Sequence, residues 1–317
     1  MTFKTFISTT LLLSAGFCPI QNTTAATNQP TPTTPTFTET SDPLTKETYT
    51  SDKSWVLIDA LSDEFNGDKL NTSKWCADPE GNGWQWLGRA PQLFTKESVS
   101  VKDGSMQILG GVLDKPIDKK SYGKVRNYKY HSGIVRTYET GKVGYYYECR
   151  MKMNKSELGG GFWINVTKEV DGSKHEIDIQ ECVGCTTELT EKWGKEWDHI
   201  VHSNAIDWKA GADAPQSRQR DQKMRLLKSK NHENYHIHGA WWKSPNEILI
   251  FLDGEYLYTL TPPVPFTAPG HVQISIEMYD WNPIPDNGGQ VAALPEADRI
   301  SHFDWVRVWK VEKNHTK

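Results

Sequence analysis

Long apolar runs are missing from this chain after residue 17, so nothing beyond the N-terminus supplies the ~20 residues a bilayer-spanning helix requires. A dominant charge is missing too: 36 Lys and Arg against 40 Asp and Glu leave a net −4, too even for a nucleic-acid surface. Helical periodicity and internal repeats are nearly absent, which argues against bundles and solenoids. Cysteine is scarce, with five in 317 residues, and Cys182-x-x-Cys185 has no second pair at zinc-site spacing. The mean hydropathy of −0.63 fits a soluble protein.

The N-terminus reads as an address. Lys4 precedes an apolar run from Phe6 to Phe17, and small residues follow near Ala25, the pattern of a secretory signal peptide over residues 1–25. Lipid attachment at Cys18 is the alternative, although Phe17 directly before the cysteine suits it poorly. A secreted or periplasmic protein is therefore expected, or an outer-membrane lipoprotein. Residues 26–50 are rich in Thr and Pro and read as an extended linker. Packed structure begins near Trp55 and defines a domain over 51–313. Export permits a disulfide among Cys76, Cys149, Cys182 and Cys185, but these also read as ordinary small residues. His236 and His238 share a strand face and read as structural.

Strand signals dominate from there. Asp-Gly turns at 103–104, 171–172 and 253–254 separate alternating runs, a strong hairpin signal. Gly133 to Tyr138 is expected to pair with Val143 to Met153 across Glu139-Thr140-Gly141. Residues 186–200 and 216–229 read as helical or loop excursions. His271 to Tyr279 alternates Val272, Ile274, Ile276 and Met278 with Gln273, Ser275, Glu277 and Tyr279, so its polar face lines a groove or meets water. Many short strands joined by tight turns predict an all-β sandwich.

The run K-H-E-I-D-I-Q-E-C, 174–182, carries the chemistry. On a strand Glu176 and Asp178 share a face, whereas Glu181, five residues on, points away unless a β-bulge turns it back. Crowded carboxyls split their pKa values, so one stays charged while another holds a proton. That is the requirement of retaining glycoside hydrolysis, with a nucleophile and an acid/base about 5–5.5 Å apart. Ile177 and Ile179 mark a buried opposite face; a solvated edge bearing three acids is the plain alternative.

Thirteen tryptophans stand out. Trp55, Trp75, Trp305 and Trp309 lie in apolar runs and read as core. Trp86, in a Gly-rich polar loop, and Trp163, after Gly159 to Gly161, read as sugar-stacking rings; Trp84, Trp241 and Trp242 read as either. Arg89, three residues after Trp86, and Arg136 are candidate guanidinium forks for an anion such as sulfate.

With E-x-D-x-x-E at 176–181, the chain resembles glycoside hydrolase family 16. S-D-E-F-N-G (62–67), G-R-A-P-Q-L-F (88–94), Y-H-I-H-G-A-W-W (235–242), Y-D-W-N-P (279–283) and F-D-W-V-R-V-W (303–309) are similar to its β-agarase and β-porphyranase branch. The resemblance covers about residues 55–311. It implies a β-jelly roll with a concave cleft, Glu176 as nucleophile, Glu181 as acid/base and Asp178 between them. It also implies Trp86, Trp163 and Glu277 as sugar contacts. No cofactor for catalysis is implied. A structural calcium, away from the chemistry, would use Asp304 and the Gly104 carbonyl. Porphyran carries 6-sulfated L-galactose where agarose carries neutral anhydrogalactose, and porphyranases line the sulfate pocket with arginine. Arg89 and Arg136 therefore point to an endo-acting β-porphyranase, with β-agarase as the alternative and a non-catalytic lectin or a transglycosylase as rivals; a monomer is expected.

Overall fold

The computed structural model describes residues 34–36, 53–80, 86–166, 173–208 and 219–313. The signal peptide, most of the linker, Trp84 and the 171–172 turn lie outside the described residues.

Two sheets face one another. The first, hereafter the convex sheet, has the order β16 (Glu255–Leu260), β15 (Glu247–Leu252), β14 (His236–Ser244), β9 (Tyr146–Lys152), β18 (Ile300–Lys313), β5 (Ser105–Leu109) and β4 (Val99–Lys102), with β1 (Lys53–Leu57) also on β18. The second, the concave sheet, runs β13 (Gln219–Leu226), β12 (Ile200–Trp208), β11 (Lys174–Val183), β10 (Gly159–Val166), β17 (Gly270–Glu277), β8 (Ile134–Gly141) and β2 (Trp75–Cys76). A third, three-stranded sheet joins β3 (Gln92–Phe94), β7 (Lys124–Ser132) and β6 (Gly111–Ser121). The only α-helix among the described residues is α1, Gly289–Ala293.

Alternation explains the layering. Ile177 and Ile179 of β11, Val272, Ile274 and Ile276 of β17, and Tyr147, Cys149 and Met151 of β9 all enter one core between the sheets. Their neighbours on the concave sheet are thereby turned toward the cleft. Trp55, Trp75, Trp305 and Trp309 are buried as expected, as are Trp241 and Trp242. The turns at Asp103-Gly104 and Asp253-Gly254 form hairpins, with positive φ at all four residues.

Two strand expectations fail. β8 does not pair with β9: it lies between β17 and β2 in the concave sheet, while β9 lies between β14 and β18 in the convex sheet. Strands of opposite sheets show the same alternation toward a shared core, so pattern alone cannot assign the partner. Residues 219–226 form the edge strand β13, not an excursion. Its side chains are exposed on both faces, and such a strand carries no apolar alternation to read. The 186–200 stretch is loop with short 3₁₀ turns at 192–194 and 197–199.

The four described cysteines are free thiols. Asp304 accepts a hydrogen bond from Arg150 Nη1 at 2.5 Å. The Asp304 carboxylate named for a structural calcium is thus engaged by a cation of the protein itself, and among the described residues no group of three or more His, Cys, Asp or Glu could hold a metal. His238 is buried, with its pKa pushed down by burial to about 3, and His236 pairs with Asp253 at 2.7 Å, which agrees with structural roles.

Candidate active site

β11 supplies the acids. Its register against β12 pairs Asp178 with Asn204 and then Glu181 with His202, so Ile179 and Gln180 stand against Ser203 alone. This is the bulge that the carboxylate spacing requires. Ile179 and Gln180 both face inward, and Glu181 returns to the side of Glu176 and Asp178. All three line one cavity of about 340 Å³ on the concave face, with Trp86, Arg89, Tyr122, Trp163, Trp208, Glu277 and Tyr279.

Each acid has different company. Glu181 accepts hydrogen bonds from Asn204 Nδ2 at 2.7 Å and Tyr279 Oη at 3.1 Å, and His202 Nδ1 lies 3.2 Å away. Burial works to raise its pKa, but these donors, His202 foremost, outweigh it and hold the carboxyl below its ordinary value. Among the described residues Glu176 accepts one long bond, from Trp208 Nε1 at 3.3 Å. Burial, with the charge of Glu181, pushes it up to about 7. Asp178 is driven well up by burial and by both glutamates, and its Oδ2 has no hydrogen-bond partner. Of the three, Glu181 is therefore the acid that most readily carries the negative charge, and Asp178 and Glu176 hold protons more tightly.

Trp86 meets Trp163 edge-on at 6.3 Å between ring centroids, and Trp163 Nε1 donates to Ser275 Oγ at 3.1 Å. Arg89 Nε donates to Glu277 Oε2 at 2.5 Å, and its guanidinium lies 5.5 Å from the Tyr279 ring centroid. The structure thus brings Trp86, Arg89, Trp163 and Glu277 to the three acids. It does not bring Arg136. That residue sits on the same sheet row as Gln273 and Trp163, two strands beyond Trp163, and does not line the cavity.

Sequence reasoning missed Tyr122, His202, Asn204 and Trp208. β12 is buried on both faces except at its end, so it shows no alternation that would mark His202 and Asn204 as facing the cleft. Tyr122 sits at the β6–β7 turn with φ 47°, which sequence spacing does not place over a cleft.

The family model for the GH16 domain of β-porphyranases A–D matches residues 55–311. The chain belongs to this family. It is a glycoside hydrolase of β-jelly-roll fold. β-Porphyranase B of Zobellia galactanivorans is 36% identical over 261 residues, which are 81% of this chain and 85% of that relative. The crystal structure of porphyranase B from the same organism superposes with a TM-score of 0.76 at 34% identity, covering 88% of this chain and 99% of that one. The structure of β-agarase A in complex with oligoagarose, at 20% identity and a TM-score of 0.64, covers 83% and 95% and shares the fold. No helix among the family-16 domain's described residues is long and apolar enough to cross a membrane.

Proposed function

We propose that the protein is an exported, endo-acting, retaining β-porphyranase, with residues 51–313 as its catalytic domain. The observation that carries the reading is the convergence of Glu176, Asp178 and Glu181 on one cavity wall, beside a tryptophan pair and Arg89. Glu176 is the nucleophile: its carboxylate bonds to the anomeric carbon while the glycosidic carbon–oxygen bond breaks, and Glu181 gives its proton to the departing oxygen. Water then attacks the anomeric carbon, Glu181 takes a proton from it, and the ester to Glu176 is released. The donors around Glu181 suit the second half, in which it must be charged. For the first half the proton shared by the two glutamates has to reside on Glu181, and Asp178, itself protonated, stabilises the charge left on Glu176. Trp86 and Trp163 offer ring faces to sugar C–H groups, and Arg89 offers N–H groups to a sulfate ester. Export rests on the leader over residues 1–25, with Cys18 lipidation as its alternative.

One observation favours a β-agarase. The Arg89 charge is already paired with Glu277 at 2.5 Å, which lowers its attraction for sulfate. Separate digestion of porphyran and agarose, with the products weighed by mass spectrometry, decides the matter. Sulfated oligosaccharides as the preferred products are expected; a preference for agarose overturns the first reading. Glu176→Gln should abolish turnover on either polymer and leave binding intact, an outcome that a lectin would not give.

A further inference from the structure

The outer face of a sandwich sheet ordinarily meets water. On the convex sheet it is apolar instead. Trp55, Tyr146, Trp241, Leu249, Phe251 and Trp309 form a cluster apart from the core, none more than 5% exposed. Alternation fixes its side: Tyr147 and Cys149 enter the core, so Tyr146 and Glu148 point outward.

Glu148 lies on this outer face, fully buried. A carboxyl buried this deeply is costly unless its oxygens meet donors. Both do. Trp309 Nε1 donates to Oε1 at 2.8 Å, and the backbone N–H of Thr36 donates to Oε2 at 3.1 Å. Pro35, beside it, is buried as well. A donor 112 residues away in sequence, from a stretch too poor in apolar residues to support its own structure, thus completes the shell of a buried acid. Proline has its φ fixed in advance, which lowers the entropic cost of seating it, and the bends at Thr34 and Thr36 leave the Thr36 N–H free to donate.

We propose that the convex face carries a peptide seat for a proline-containing segment, and that its occupant is this chain's own Thr/Pro-rich stretch at Pro35–Thr36. Glu148 is the acceptor that receives the segment, and Trp309, from the apolar cluster, holds the other oxygen of the same carboxyl. The segment is thereby a strap, not a free spacer. The seat lies on the sheet opposite the cleft, so emptying it leaves hydrolysis unchanged, and the inference stands whichever galactan is cleaved.

Hydrogen exchange on the full-length protein tests it without any substitution. The Thr36 amide should exchange more slowly than in a free peptide, by about tenfold or more. Pro35→Asp, in a segment outside the folded domain, should return it to the free rate with unchanged hydrolysis. A fluorescent peptide of residues 31–40 should then bind the Pro35→Asp protein about tenfold more tightly than wild type, because the tethered segment competes at millimolar effective concentration. Free exchange at Thr36 in wild type overturns the proposal, and so does equal peptide binding, or none, by the two proteins.

Discussion

At the scale of single residues, what distinguishes the two glutamates is their donors. Glu181 has Asn204, Tyr279 and His202, whereas Glu176 has one long bond from Trp208. The pair titrates together. The reactive form holds one proton between them, so kcat/KM should fall above about pH 7, where Glu176 gives up its proton. It should also fall on the acid side, where Glu181 and Glu176 are both protonated. His202→Ala removes the leading influence that holds Glu181 down. The acid limb should move to higher pH, narrowing the bell, as a pH–rate profile would show; an unmoved acid limb would mean that His202 does not set the Glu181 charge.

At the scale of the element, β11 does two jobs, sending isoleucines into the core and acids into the cleft. Its bulge is a spacer. Deleting Gln180 makes the strand regular and leaves Glu181 four residues from Glu176, still on the same face. That variant should keep measurable activity at a lower melting temperature, since Gln180 Nε2 loses its bond to the Ile200 carbonyl, 2.9 Å. Deleting Ile177 puts Glu176 and Asp178 on opposite faces and should abolish turnover. Assays of the two deletions side by side, with circular dichroism to confirm folding, would show the contrast; equal loss in both would refute it. The strand was legible in sequence because its acids and isoleucines obey period two, with one residue in excess. β12 beside it was not, because a strand buried on both faces reads as an unpatterned run, and its His202 and Asn204 went unseen with it. The edge strand β13 escaped for the opposite reason, having no buried face.

Across the whole molecule, the sandwich tolerates a strained site because its core is large and continuous. Glu176 stands above its ordinary carboxylate value, at about 7, so the stability it permits is present at low pH and is lost as pH rises through 7. Glu176→Gln removes that charge. Its melting temperature should exceed that of wild type at pH 8 and approach it at pH 5; a constant offset across that range would show that the carboxylates do not strain the fold. Sheet membership was the least legible feature, since β8 and β9 have similar patterns and face one core from opposite sides. Trp86, Arg89 and Trp163 were readable from neighbouring residue types, and Glu277 from the family resemblance. Arg136 was not separable from them, because its row on the sheet is right and only its distance along that row is wrong.

The floor of the cleft carries a consequence for how such enzymes diverge. A methyl group at Gly160, where φ is +128°, would lie 2.1 Å from the Ser275 carbonyl oxygen, and one at Gly161 would lie 1.8 Å from that of Gln180. Both contacts are with backbone, which cannot swing aside. Mutation therefore has almost no room to work beneath the sugar, and a new appetite must be acquired from the overhanging lip, where Trp86, Arg89 and Tyr122 can be exchanged without prising the strands apart.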